Sequence, residues 1–269
     1  MILVELQQLV RRPRTWVSLA ILVALPTTIA AFVSATGIAP RPGQGPALLS
    51  EVLNNGTLFA AVALVIDMVL LLPLSVLVVA GDSVAGEASS GTLRYLLVRP
   101  VSRTKLLVAK LVAVFAYVLI AVVTVAASGL LVGNLLFGAS GQISSISGGP
   151  PISQEGTTLR IVLAVLYVGV SMLGVAAFAL FLSTLTDAPL AAALGGFAVL
   201  VASTSLDTLD AAASVRPYLP THYWLSFVDL FRNPILWRDI ERGLLLQAVF
   251  VVVLLGASWA LFTTKDITS

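Results

Sequence analysis

The sequence has no cysteine, a single histidine and very little charge: 10% of 269 residues are Asp, Glu, Lys or Arg. The missing thiols exclude disulfides, thiolate metal sites and cysteine nucleophiles. The low charge excludes an ordinary soluble domain, in which about a quarter of residues are charged. Net charge is +2, from 15 basic and 13 acidic residues. The pI near 9.2 is therefore a small excess rather than a basic surface, and nucleic acid has no compositional support as a partner. No G-x-x-x-x-G-K-[ST] stretch occurs, so the chain offers no phosphate-cradling loop of its own.

What fills the chain instead is apolar: 58% of residues, with a mean hydropathy of +1.04. A bilayer core of about 30 Å takes roughly 20 apolar residues as a helix. Six stretches qualify, at about 15–36, 57–80, 106–132, 159–182, 188–206 and 243–263. The predicted fold is thus an all-α polytopic membrane protein, one transmembrane domain over residues 1–269 with six transmembrane helices. The fifth stretch is the shortest. Gly169, Gly174, Gly195 and Gly196 suit close helix packing in lipid. Pro26 and Pro73 fall inside the first two spans.

Residues 1–14 read as an amphipathic helix and turn, with Ile2, Leu3, Leu6, Leu9 and Val10 on one side, fit to lie along a membrane surface. The basic residues follow that apolar stretch, which is the wrong order for a cleavable signal peptide. Orientation follows the basic residues beside the spans. With the amino terminus cytoplasmic, Arg11, Arg12, Arg14, Arg94, Arg99, Arg103, Lys105 and Lys265 lie inside. Arg41, Arg160, Arg216, Arg232, Arg238 and Arg242 lie outside. Arginine outnumbers lysine several-fold, which points to GC-rich bacterial coding; the expected location is the inner membrane of a prokaryote.

Two loops carry a pattern. In the outer segment 207–242, Trp224, Phe227, Val228 and Phe231 recur at helical spacing, with Tyr218 and Tyr223 before them and Trp237 after. Aromatics of this kind belong at headgroup level, so the segment is expected to form two short interfacial helices, an anchoring belt or a lid over a path. His222 lacks neighbouring ligands for a metal and reads as a polar interfacial residue. Residues 82–105 form the inner loop after the second span. Leu93, Leu96 and Leu97 make one apolar face, Arg94 and Arg99 lie elsewhere, and Pro100 stops the helix. Such a rod fits a groove on a cytoplasmic partner, or snorkels into headgroups as a positive-inside anchor.

These residues resemble the signature of ABC-2-type transporter permeases, D-x-x-x-x-E-x-x-x-G-T-[LI]-x-x-[LI]-L-x-x-P-[VI]-[ST]-R-x-x-[LI]-[LI]-x-x-K. Asp82, Glu87, Gly91, Thr92, Leu93, Leu96, Leu97, Pro100, Val101, Ser102, Arg103, Leu106, Leu107 and Lys110 match in register. The ending FTTKDI is similar to the family's Phe-x-[RK]-[RK]-Asp, with Thr264 where a basic residue is common. The amino end resembles the family's elbow helix. The resemblance implies the membrane subunit of an ATP-driven exporter of the type V class, in which residues 82–105 hold a coupling helix. Its expected contacts with a separate ATPase subunit are Glu87, Gly91, Thr92, Leu93, Arg94, Leu96, Leu97, Arg99, Pro100 and Arg103. ATP and magnesium would sit on that partner, and this chain would bind no cofactor or metal and catalyse nothing. A second permease copy, identical or homologous, would complete the path.

Asp67 lies mid-span, where a carboxylate is costly unless paired, protonated or facing water. It can line a path, relay a proton or hydrogen-bond a neighbouring helix. Glu87 is expected to meet Arg94, Arg103 or the ATPase. Two other classes remain open: an uncoupled carrier or channel, and a membrane anchor or assembly factor that moves nothing.

Overall fold

The computed structural model describes residues 2–37, 48, 52, 55–89, 103–138 and 150–264. It is 88% helix and holds no strand among the described residues, so the fold is all-α. The helices are α1 (Ile2–Arg11), α2 (Pro13–Thr36), α3 (Phe59–Val69), α4 (Leu71–Ser89), α5 (Arg103–Phe137), α6 (Gln154–Leu185), α7 (Pro189–Thr208) and α8 (Trp237–Thr264). Short 3-10 turns lie between α7 and α8, the longest of them Trp224–Phe231.

Five helices are long and apolar enough to cross a membrane, and the α3–α4 pair makes a sixth crossing when taken as one span. Their outward surfaces are apolar as well: Val252 on α8 is 71% exposed and Phe32 on α2 is 65% exposed. A water-facing protein does not leave such continuous apolar faces bare. This is the makeup of a multi-span membrane protein, and the six apolar stretches read from the sequence coincide with these crossings.

The second crossing departs from the expected single helix. It bends by 58° between α3 and α4. Pro73, in the first turn of α4, explains the position: a proline ring crowds the carbonyl four residues back, here Val69, and offers no N–H to it. Leu70 at the break has φ −144° and ψ −58°, and its N–H closes α3 on the Asp67 carbonyl. Pro26 leaves α2 unbroken. Beside it, the hydroxyls of Thr27 and Thr28 donate to the carbonyls of Val23 and Ala24 at 2.6 and 2.7 Å.

Each half of the bent span is held by a different neighbour. The 3-10 turn Gly56–Leu58 and the start of α3 that follows it lie against α5 at backbone contact: a Cβ on Gly133 would fall 2.1 Å from the Gly56 carbonyl oxygen, and one on Gly129 2.9 Å from the Ala60 Cα. These glycines stand four apart on α5, the small-xxx-small spacing that lets helices approach in lipid. The α4 half packs on α6 and α7. Gly196 on α7 receives Leu77, and Gly174 on α6 receives Gln247 of α8. Gly169 meets nothing within 4 Å and Gly195 only Leu182 at 3.8 Å, so two of the four glycines singled out from sequence serve close packing.

The segment after α7 corrects the expected aromatic belt. Tyr223, Trp224, Phe227 and Phe231 are buried, and Leu230 with them. Only Tyr218, 70% exposed, and Trp237, 47% exposed, stand outward. A 3-10 helix repeats every three residues, so Trp224, Phe227 and Leu230 share a face, and that face points into the main core rather than at lipid. No second short helix follows; α8 begins at Trp237. The segment is clamped from three helices. Tyr167 of α6 donates to the Tyr223 carbonyl at 2.5 Å, Gln247 of α8 donates to the Pro220 carbonyl at 2.7 Å, and Ser203 of α7 bonds Thr221 at 2.7 Å. His222 pairs with Asp207 at the end of α7 at 2.5 Å, which makes it a link between elements.

The glycine contacts yield a paired test. Gly133→Ala places a methyl against backbone that cannot yield and should lower stability by about 1–3 kcal/mol. Gly256→Ala, in open space on α8, should be neutral or raise stability by up to ~1 kcal/mol. Thermal unfolding in detergent micelles reads both, and equal effects would refute the close α3–α5 contact.

Candidate functional site

At the end of the bundle that carries α1, charged side chains converge from three parts of the chain. Lys110 lies two turns into α5 and is 1% exposed. Its ammonium contacts Glu87 Oε1 at 2.5 Å and Glu5 Oε1 at 3.3 Å. Beside it, Asp82 takes Arg12 Nη1 on one carboxylate oxygen at 2.6 Å and Arg14 Nη1 on the other at 2.7 Å. Asp82 and Glu87 are 6% and 8% exposed, while both arginines reach solvent. Three acids thus face three bases.

Local sequence explains the convergence. Arg12 is the extended residue between α1 and α2, with Pro13 fixing the start of α2. The chain turns there, so Arg12 and Arg14 face α4 while Leu9 is buried and Glu5 reaches Lys110. Ile2, Leu3 and Val10 of the predicted apolar side stay exposed. On α4, Gly86 leaves room for the Asp82 carboxylate, since a Cβ at 86 would lie 2.6 Å from Asp82 Oδ1. The far side of the same turn is held by Ser183 of α6. Its hydroxyl donates to the Gly81 carbonyl at 2.7 Å and accepts from the Val84 and Ala85 amides at 3.1 and 2.9 Å. A small cavity of about 30 Å³ lies among Glu5, Arg12, Thr15, Asp82 and Lys110, with Leu9, Val79 and Val114 completing its walls. That is room for one water, and the buried Thr15 hydroxyl has no partner among the described residues.

The energetics are unequal. The Lys110 contacts are buried, and removing one partner of a buried pair strands the other at a cost of about 3–5 kcal/mol. The arginine contacts to Asp82 are partly solvated and individually worth about 0–1 kcal/mol. The lysine and its two glutamates form the strong joint, and the arginines add orientation.

Most of the sequence-predicted coupling residues, Gly91, Thr92, Leu93, Arg94, Leu96, Leu97, Arg99 and Pro100, lie outside the described residues. Arg103 begins α5. Glu87, expected to meet Arg94, Arg103 or a partner protein, faces Lys110 among the described residues; Arg94 lies outside them. The sequence reading missed Glu5 altogether and missed Lys110 as a counter-ion. The signal was there: a lysine inside an apolar span must find an acid.

Asp67 is 0% exposed, and neither carboxylate oxygen has a hydrogen-bond partner among the described residues. The helix–helix hydrogen bond expected for it is not made among the described residues. The residue sits in the last turn of α3, one turn before the break. Among the described residues no group of three or more His, Cys, Asp or Glu is placed to hold a metal.

Fold and site together define a multi-span helical membrane protein whose amphipathic first helix is bound to its second and third crossings by a buried charge cluster. By sequence it belongs to the family described as protein of unknown function DUF2705, whose model matches residues 48–268. A comparison with curated proteins finds no match.

Three substitutions test the site. Lys110→Met strands Glu5 and Glu87 and should lower stability in micelles by about 3–5 kcal/mol; the added change Glu87→Met should recover part of the loss. Asp67→Leu removes a carboxyl with no partner and should raise stability by about 1–3 kcal/mol. Thermal unfolding of the four proteins measures both, and a loss in Asp67→Leu would show that the carboxyl has a stabilising partner.

Proposed function

We propose that this chain is the membrane-spanning subunit of an ABC-2-type transporter, an exporter driven by a separate ATPase on the α1 side. One observation carries the reading. Three of the four ionisable signature residues, Asp82, Glu87 and Lys110, enter one cluster, and in sequence they bracket residues 90–102, the stretch that resembles a coupling helix. A segment meant to pass a push from a nucleotide-burning partner into the spans needs both its ends anchored, and here the ends are anchored to each other and to α1. On this reading α1 is the elbow helix, the α1 side faces the cytoplasm of a prokaryote, and the ATP and magnesium belong to the partner. A second permease copy completes the translocation path.

A carrier that works without ATP is the second reading, because a bent span with a buried, unpartnered acid beside the break also occurs where a crossing opens around a coupling ion.

The test co-expresses the full chain with an ATPase subunit sought among the reading frames that neighbour its own. The two should co-purify, and reconstituted vesicles should hydrolyse ATP faster with the permease than without it. Leu96→Asp should insert normally yet lose at least about tenfold of that stimulation, since it puts a charge on the apolar face of the rod. Substrate movement that proceeds without ATP, with Leu96→Asp as active as the parent, would favour the carrier and refute the coupled reading.

A further inference from the structure

The outer edge of the charge cluster presents two guanidinium groups side by side. Arg12 and Arg14 each give one Nη1 to the same carboxylate, Asp82, one to each oxygen. Both oxygens of Asp82 are thereby taken, while the two arginine side chains stay 36% and 45% exposed. A guanidinium carries five N–H donors in a planar fork. The remaining donors of Arg12 and Arg14 meet no acceptor among the described residues. Two adjacent forks with free edges match the oxygens of a phosphate.

Charge is divided within the cluster. By formal charge the buried half, Lys110 with Glu5 and Glu87, is −1, and the exposed half, Asp82 with Arg12 and Arg14, is +1. Arg11, exposed and next in the chain, adds a further positive charge on that side. The level suits a lipid headgroup. Arg14 stands in the first turn of α2. Trp16 is exposed, with its indole N–H on the Val10 carbonyl at 2.8 Å, and such a residue belongs at the boundary of membrane and water. From Arg14 along one flank of α2, Val17, Ile21 and Leu25 follow at helical spacing, and all three are exposed. From Arg14 to Leu25 this stripe runs about 16 Å, at about 1.5 Å per residue. That is the depth of one leaflet of a core about 30 Å thick.

We propose that Arg12, Arg14 and the Val17–Ile21–Leu25 stripe form a binding site for one anionic phospholipid of the adjoining leaflet. The phosphate oxygens accept the free N–H groups of both arginines, and an acyl chain lies along the stripe. A headgroup with no charge beyond its phosphate neutralises the exposed half of the cluster. A choline headgroup brings a second cation beside the guanidinia and gives up that gain. The lipid thus ties the junction of α1 and α2 to Asp82 on α4. The inference stands apart from the transporter reading, since it uses neither residues 90–102 nor a partner protein.

The experiment titrates the full-length protein in micelles with phosphatidylglycerol or with phosphatidylcholine of the same chains, and counts adducts by native mass spectrometry. The first phosphatidylglycerol should bind about tenfold tighter than phosphatidylcholine, the size of one hydrogen bond between charged groups. Arg14→Gln should bring phosphatidylglycerol down to the phosphatidylcholine level and leave phosphatidylcholine binding unchanged. Arg14→Lys keeps the charge on Asp82 but loses the fork, and should lose two- to threefold of the preference, about half of it on a logarithmic scale. Arg238→Gln, exposed at the start of α8 at the other end of the bundle, removes the same charge and should leave the preference intact. Equal binding of the two lipids by the parent protein would overturn the proposal. So would an equal loss in Arg14→Gln and Arg238→Gln, which would make the preference one of net charge alone. Millimolar inorganic phosphate should displace no more lipid than chloride at the same ionic strength; specific displacement by phosphate would overturn the lipid as the occupant.

Discussion

An ammonium group inside an apolar helix has to be neutralised where it stands, and the structure at the α1 end is arranged around that demand. Lys110 cannot reach solvent at 1% exposure, so two carboxylates are brought to it. Glu87 arrives because α4 runs alongside α5. Glu5 arrives because α1 folds back over α5 at the Arg12–Pro13 turn. Once Glu5 is fixed, the turn delivers Arg12 and Arg14 to Asp82. One buried lysine therefore decides where the first helix lies, and the first helix decides where the arginines point.

Much of this architecture is legible in the sequence, for a physical reason. Twenty apolar residues in a row have one stable setting, and the six stretches and their turns follow from it. The bend at Leu70 is half legible: Pro73 marks the place, but the 58° angle comes from the different partners of the two halves, which no local pattern encodes. The aromatic segment misleads because a 3-10 face and an α face share the i, i+3 spacing, and periodicity alone does not say whether a face meets core or lipid. Burial won at Trp224 and Phe227 because α6 and α8 present Tyr167, Gly243 and Gln247 to that segment: a Cβ on Gly243 would collide with Tyr167 and Tyr223. The charge cluster is the least legible part. Its members lie as far apart as residues 5 and 110, so spacing shows none of the pairings; the one local hint is that Lys110 is alone in an apolar run.

The two ends of the bundle are held by different physics. The α1 end is held by charge, and its strength depends on keeping water away from Lys110. The opposite end is held by aromatic packing and by neutral hydrogen bonds to carbonyls, with His222 and Asp207 as its one described pair bridging α7 to the 219–224 segment. Among these, the bonds to carbonyls satisfy groups that irregular backbone would otherwise leave unmet in a low-dielectric setting. That is why a segment with so little regular helix can be as buried as it is.

The bent crossing joins these two regimes. Its α3 half is pressed on α5 through glycines that admit no slack, near the end opposite α1. Its α4 half is gripped by Ser183 from one side and by the arginines from the other. Between them stands a break with one unusual backbone residue, Leu70, and one carboxyl, Asp67, without a partner among the described residues. Two rigid attachments in series with one weak point concentrate any relative displacement at the weak point. A shift of the charge cluster therefore carries α4 with it, and the break at Leu70 is where the crossing yields. The Asp67 carboxyl, with no partner among the described residues, lies in the turn before that break.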